Sequence, residues 1–126
     1  HSREETLKHL NRYASINAHK GKDLARRDDL WSLFYMILEM LGATLPWHHL
    51  LKNKTPESKQ KIYEMKVSYH TQLKKFFWDE SGTLILKRVG KQTTQLLYNF
   101  AKKIKSYGFY EPPAYVSVLV RDVQFL

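Results

Sequence analysis

The sequence has 126 residues, of which 43% are hydrophobic, so it has material for a core and the length of one domain or part of one. Because it contains no cysteine, disulfides and thiolate metal sites are excluded, and this composition fits a cytosolic or nuclear protein. The net charge is +9, and residues 48–75 supply +5 of it, through seven lysines against two acids. Such a segment favours acidic partners, with a solvated basic face as the plainer interpretation.

The start of the chain carries no apolar segment. Residues 1–8 are charged and polar, and no run of about 18 apolar residues occurs anywhere, so we expect neither a signal sequence nor a membrane span. Residues 1–11 are predicted to be an irregular lead-in. Residues 18–27 are predicted to form a basic loop with a turn at Gly21.

A helix is predicted over residues 29–41, and from Leu30 to Leu41 only Ser32 and Glu39 are strongly polar. A helix that is apolar on nearly every side is expected to lie inside the domain, with other elements packed around it. One stripe of this helix can meet polar neighbours, and its members follow each other at spacings of four, three and four: Asp28, Ser32, Tyr35 and Glu39.

The two ends of this helix have recognisable signals. Asp28 and Asp29 are predicted to supply the N-cap and a negative charge at the positive end of the helix dipole. Gly42 is predicted to close the other end in a left-handed conformation. Beyond it, Pro46 blocks further helix and Trp47 is a large apolar anchor.

Residues 48–76 contain a second predicted helix. Thr55, Pro56 and Glu57 form a typical helix start, with a cap, a proline at the first position and an early acid. Apolar residues then recur every three or four positions, with the lysines mostly off their stripe: Ile62, Met65, Tyr69, Leu73 and Phe76. The adjacent pair His48 and His49 is not predicted to bind metal, because neighbouring loop histidines point apart.

The last third of the sequence contains a turn at residues 79–82 and a helix beginning at Lys91 that Gly108 is predicted to end. After the two prolines at 112–113, the apolar pattern fits a strand as well as a helix.

Three separated blocks of this sequence resemble the casein kinase 1 superfamily of protein kinases. They are RYASINAHKG at 12–21, RRDDLWSLFYM at 26–36 and LPW at 45–47. Trp31 and the SLFYM run are most similar to the tau-tubulin kinase branch. The resemblance implies an all-α fold, the C-terminal helical lobe of a protein kinase organised around one buried central helix. Residues 1–126 would be a partial kinase domain, from the end of the activation segment through the last helices of that lobe, and this favours helix for the final segment.

The resemblance also implies roles for three residues. Arg12 would bind an anion, such as a phosphate already present on a substrate, because an arginine fork matches two phosphate oxygens. A surface position or a local salt bridge is the alternative. Lys52 lies near the position of a second anion-binding lysine. Asp29 would hydrogen-bond the backbone of the catalytic loop and hold it in place.

The motifs that perform phosphoryl transfer are missing from this sequence. It has no glycine-rich loop, no Val-Ala-Ile-Lys-like strand, no His-Arg-Asp and no Asp-Phe-Gly. In the family these motifs precede residue 12, so the N-terminal lobe and the catalytic loop are absent from the chain. We therefore assign no catalytic, ATP-binding or metal-binding residue, and expect ATP and Mg²⁺ only in an intact kinase domain. His9 and Leu10 also replace a Gly-Thr pair of the family, which removes a threonine hydroxyl that contacts the catalytic aspartate.

Two functions remain open at this point. The first is the substrate-side portion of a serine/threonine kinase that phosphorylates protein substrates, acidic or already phosphorylated, with the chain inactive by itself. The second is a pseudokinase remnant that binds acidic or phosphorylated proteins without catalysis, which Leu10 favours. No nucleic-acid-binding motif occurs, so nucleic acid is not the expected partner, and no membrane association is expected. The expected location is the cytoplasm or the nucleus.

Overall fold

The computed structural model describes residues 11–21 and 25–106. Four α-helices follow one another in this part of the chain: α1 (Ile16–His19), α2 (Arg26–Met40), α3 (Pro56–Thr71) and α4 (Gly90–Ser106). Short 3-10 turns lie at His48–Leu50 and Leu73–Phe76, and residues 11–13 are also helical. Over these ranges no strand forms beyond a single bridge between Trp78 and Leu84. The predicted all-α fold is confirmed.

Helix α2 begins three residues earlier than predicted, and its first turn is capped differently. Ala25 occupies the N-cap position, and the Asp28 carboxylate reaches back to accept the backbone N–H of Ala25 at 2.8 Å. The prediction that an aspartate is the N-cap residue was therefore wrong. The C-terminal prediction is confirmed, because Gly42 has a φ of +97° and the N–H of Ala43 donates to the carbonyl of Leu38 at 3.0 Å.

One side of α2 forms the centre of the core, and the opposite side does not. The buried side chains of this helix are Asp28, Leu30, Trp31, Phe34, Tyr35 and Leu38. An outer stripe, defined as Asp29, Leu33, Met36 and Met40, is exposed, with Leu33 and Met36 at 37% and Met40 at 83%. The prediction that α2 is buried on nearly every side was therefore wrong, because none of the described helices packs over this stripe.

Aromatic rings fill the space between α2 and the rest of the core. The ring of Phe34 meets that of Phe76 edge to face at 5.3 Å, and the ring of Tyr35 meets that of Trp47 at 4.9 Å. Phe34, Tyr35 and Trp47 have no measurable exposure. Edge-to-face pairs add stabilisation beyond the area that they bury, so this cluster fixes α2 relative to the segments that follow it.

Helix α3 starts as predicted, with the Thr55 hydroxyl accepting the backbone N–H of Ser58 at 3.1 Å. It ends at Thr71, so Leu73 and Phe76 continue its apolar stripe from a 3-10 turn rather than from the helix. In α4, the buried apolar side chains are Leu97, Phe100, Ala101 and Ile104.

Some predictions fall outside the described residues. These are the lead-in with His9 and Leu10, the helix end at Gly108, and the choice between strand and helix after residue 113. Within the described part, no helix combines the length and the apolar character that a membrane crossing requires.

Candidate functional site

The polar stripe of α2 faces the segment formed by residues 11–21, which we call the anchored segment. The Asp28 carboxylate is 3% exposed and accepts hydrogen bonds from the Ser15 hydroxyl at 2.8 Å and the Asn17 amide at 3.1 Å. Ser15 is also the N-cap of α1, since its hydroxyl accepts the N–H of Ala18 at 3.1 Å. One buried carboxylate therefore fixes the Ser-Ile-Asn block against α2.

Side chains from other elements bind the backbone carbonyls of residues 11–14. The Ser32 hydroxyl donates to the carbonyl of Tyr13, and the Trp47 indole N–H donates to that of Arg12, both at 2.8 Å. The carbonyls of residues 11 and 14 accept from Lys66. Because the last carbonyls of a helix lack intrahelical partners, these donors cap the helical turn that ends at residue 13.

Lys66 of α3 is a buried cation at the centre of this arrangement. Its ammonium donates to the carbonyls of Asn11 and Ala14, each at 2.7 Å, and lies 3.0 Å from Nε2 of His19. It also lies 4.9 Å from the centre of the Trp47 ring. All three of its N–H donors thus have partners, and a cation is favourable at the negative end of a helix. Burial nevertheless lowers the pKa of Lys66 to about 7.

The sequence analysis missed Lys66, although a signal was present. Lys66 follows Ile62 by four positions, and Ile62 is fully buried on the stripe that was predicted to pack inward. A residue four positions further lies on the same face of a helix. The prediction that the lysines lie mostly off the apolar stripe did not single out Lys66 as an exception.

Two histidines are held neutral, His19 within the anchored segment and His70 on α3. Burial, followed by the charges of Lys66 and Lys59, lowers the pKa of His19 to about 4. Burial also lowers the pKa of His70 to about 3, and raises that of Tyr35 above its ordinary value. The Tyr35 hydroxyl and Nε2 of His70 lie 2.6 Å apart, so a neutral pair shares this buried hydrogen bond.

Arg12, the predicted anion-binding residue, already has an acidic partner. Its Nη1 donates to Oε2 of Glu39 at 3.0 Å, and both side chains are about four-fifths buried. The Tyr13 hydroxyl donates to the other oxygen of Glu39. Burial and then this hydrogen bond raise the pKa of Tyr13. The Nε of Arg12 is buried without a hydrogen-bond partner in the described part of the chain, so the fork is only partly engaged.

The other two predicted site residues are exposed. Lys52 lies just after the 3-10 turn at His48–Leu50. Asp29 is exposed at the beginning of the outer stripe. Residues 11–21 and 25–106 contain no group of three His, Cys, Asp or Glu residues arranged to hold a metal ion.

A cavity of about 200 Å³ lies beside the anchored segment. Its lining includes Asn17, Asp28, Trp31, His70 and Lys105. The Asn17 amide nitrogen and both carboxylate oxygens of Asp28 already take part in the hydrogen bonds described above, so this cavity borders the network that holds the anchored segment.

Comparison of the sequence with known proteins finds a similarity to a protein kinase. A probable serine/threonine-protein kinase from Dictyostelium discoideum is 39% identical to the chain over 105 residues. The match covers 83% of this chain and 17% of that relative, so the chain spans less than a fifth of its length. No family model matches the chain. This similarity supports a protein-kinase C-terminal region, and the all-α architecture is that of the C-terminal helical lobe of a protein-kinase-like fold.

Proposed function

We propose that the chain is the C-terminal lobe portion of a serine/threonine kinase of the casein kinase 1 superfamily, most similar to the tau-tubulin kinases. The intact protein would transfer the γ-phosphate of ATP to serine or threonine of protein substrates. This portion would supply the substrate-side and anion-binding surface and a support for the catalytic loop, and would be inactive alone.

The observation that carries the proposal is the opposite placement of two adjacent aspartates. Asp28 is buried and holds the anchored segment, whereas Asp29 is exposed and begins the outer stripe. A central kinase helix needs both functions, because it positions the substrate-side segment on one side and the catalytic loop on the other. The exposed methionines that follow Asp29 would give that second side an apolar surface for a catalytic loop.

The rigidity of the anchored segment supports its assignment to substrate positioning. Each backbone carbonyl of residues 11–14 accepts a hydrogen bond from a side chain that lies at least 19 positions later in the sequence. Phosphoryl transfer depends mainly on positioning, so a segment that contacts substrate must be held precisely enough to align a hydroxyl. The Arg12 fork, of which Nε has no partner among the described residues, would receive a substrate anion in competition with Glu39.

The test uses the intact protein that contains this chain, with radiolabelled ATP and two peptides that differ only in a phosphoserine near the acceptor. We expect transfer by the intact protein and none by this chain alone. Arg12→Ala should raise KM for the phosphorylated peptide and leave the unphosphorylated one unchanged, whereas the exposed control Lys61→Ala should change neither.

The Asp29 assignment needs a separate measurement in the same protein. Asp29→Asn should lower kcat with little effect on the KM of either peptide, because it acts on the catalytic loop and not on the substrate. Turnover by the isolated chain would contradict the proposal. So would an equal rise in KM for both peptides in the Arg12 variant.

A further inference from the structure

A groove lies away from the anchored segment, where α4 meets the turn that follows α3. It is open, has a volume of about 950 Å³, and its lining includes Tyr69, Trp78, Tyr98 and Ile85. The rings of Trp78 and Tyr98 meet edge to face at 5.4 Å, and Ile85 is 45% exposed. Aromatic and aliphatic side chains that stay accessible in one concave surface are typical of a site that receives an apolar side chain.

Lysines continue this groove in one direction. A second groove, of about 700 Å³, shares Lys74, Lys75 and Tyr98 with the first and adds Lys102 and Lys105. Two of these cations lie over the aromatic rings, with Lys102 Nζ 4.5 Å from the centre of the Tyr98 ring. Lys75 Nζ lies 5.3 Å from the centre of the Tyr69 ring. Four positive charges therefore line the two grooves, next to the accessible aromatic rings.

Two carboxylates decide between peptide and nucleic acid as the occupant. Asp79 and Glu80 line the first groove together with Trp78 and Tyr98. Oδ1 of Asp79 accepts the backbone N–H groups of Ser81 and Thr83, at 3.0 and 2.9 Å, which fixes this acid at the rim. A nucleic-acid strand carries a negative charge at every nucleotide, so these two acids would repel it from the groove that contains the aromatic rings. A peptide can place its acids at one end only.

We propose that this surface binds an acidic peptide segment of a partner protein. Carboxylates of the segment would lie over Lys74, Lys75, Lys102 and Lys105, and a flanking apolar side chain would contact Trp78 and Ile85. The proposal goes beyond the kinase assignment, because it uses neither the anchored segment nor the outer stripe. Its basis is the match between a surface that carries lysines next to apolar side chains and a ligand that carries acids next to an apolar side chain.

The first experiment measures fluorescence anisotropy of a short labelled peptide with the full chain. The peptide carries a leucine followed by a run of glutamates. Control peptides replace the glutamates with lysines or the leucine with glycine, and a single-stranded oligothymidine tests the nucleic-acid alternative. We expect the first peptide to bind, the glycine peptide to bind more weakly, and the lysine peptide and the oligothymidine not to bind. Binding should weaken as salt rises from about 0.05 to about 0.5 M because the charge pairs are exposed.

Variants at exposed positions then locate the site. The double variant Lys74→Glu/Lys102→Glu should raise the Kd of the acidic peptide by about tenfold or more, because charge reversal turns attraction into repulsion. Lys61→Glu, an exposed position on α3 outside both grooves, carries a charge change of the same kind and should leave the Kd within about twofold. Ile85→Ser should weaken the binding of the leucine peptide and leave the Kd of the glycine peptide unchanged. Circular dichroism checks that each variant keeps its helices.

A photo-crosslinking residue at Gln95, which lines the first groove, identifies what occupies it. Crosslinking to the acidic peptide supports the proposal. Crosslinking to residues 107–126 of the same chain, or to a second copy of the chain, would overturn it if the crosslinking persists when the acidic peptide is added. Equal or tighter binding of the oligothymidine, or no binding of the acidic peptide, would overturn it as well.

Discussion

Lys66 and Ala14 lie 52 positions apart in the sequence and are joined by a 2.7 Å hydrogen bond from the buried ammonium to the backbone carbonyl. The same ammonium donates to the carbonyl of Asn11, so a side chain of α3 caps the end of a helical turn that is far from it in the sequence. This arrangement explains why a charged residue is tolerated at zero exposure. The carbonyl oxygens and the Trp47 ring replace the water that the cation loses.

Lys66→Met should destabilise the chain by about 2–4 kcal/mol, because each buried acceptor left unpaired costs about 1–3 kcal/mol while the desolvation of the cation is relieved. Urea denaturation followed by circular dichroism measures this change. Lys61→Met, at an exposed position of the same helix, should cost less than about 0.5 kcal/mol. Equal effects of the two variants would show that the ammonium does not hold the anchored segment.

The same substitution should affect stability very differently at the two adjacent aspartates. The Asp28 carboxylate accepts hydrogen bonds from three donors, and Asp28→Asn would place an amide donor against them. We therefore expect the free energy of unfolding to fall by about 2–3 kcal/mol. Asp29→Asn should stay within about 0.5 kcal/mol, because its side chain is exposed. Thermal unfolding of both variants under the same conditions tests the contrast. A large loss for Asp29→Asn would argue against its outward placement.

Stability should fall as the pH is lowered from 7 to 5. The pKa of His70 is about 3 in the folded chain and 6.5 as its ordinary value, so below pH 6.5 the unfolded chain binds a proton that the folded chain does not. This contribution is complete above pH 6.5, and at ~1.4 kcal/mol per pH unit roughly 2 kcal/mol of it is lost by pH 5. His19 acts in the same direction, less strongly because it is partly exposed.

His70→Gln is the control for that pH dependence, because it keeps a hydrogen-bonding group for Tyr35 without a titratable ring. Urea midpoints measured at several pH values should vary less in this variant than in the parent chain. An unchanged pH profile would show that the neutral histidine is not the source.

Trp47→Phe should cost about 2–3 kcal/mol, since it removes the donor to the Arg12 carbonyl and leaves a void in the core. Trp78→Phe makes the same chemical change at a half-buried position, so its cost should be clearly smaller. Differential scanning calorimetry of the pair measures the difference. Similar melting temperatures for the two variants would mean that the Trp47 hydrogen bond contributes little.

The helices were predictable because their signals are local. The cap at Thr55 and the glycine at 42 each act within a few residues, and the structure confirms both. The polar stripe of α2 was also predicted correctly, since a spacing of three and four fixes which side chains share one side of a helix. Asp28, Ser32 and Glu39 all bind the anchored segment.

The sequence by itself thus determined the helical class, the approximate positions of the three long helices and the side of α2 that carries polar contacts. Only the tertiary structure decided that Lys66 is buried, that Asp28 and not Asp29 faces inward, and that the outer stripe stays exposed. The physical reason is that periodicity fixes side chains relative to their own helix axis. Which side of that axis is covered depends on elements tens of residues away, whose approach no local pattern specifies.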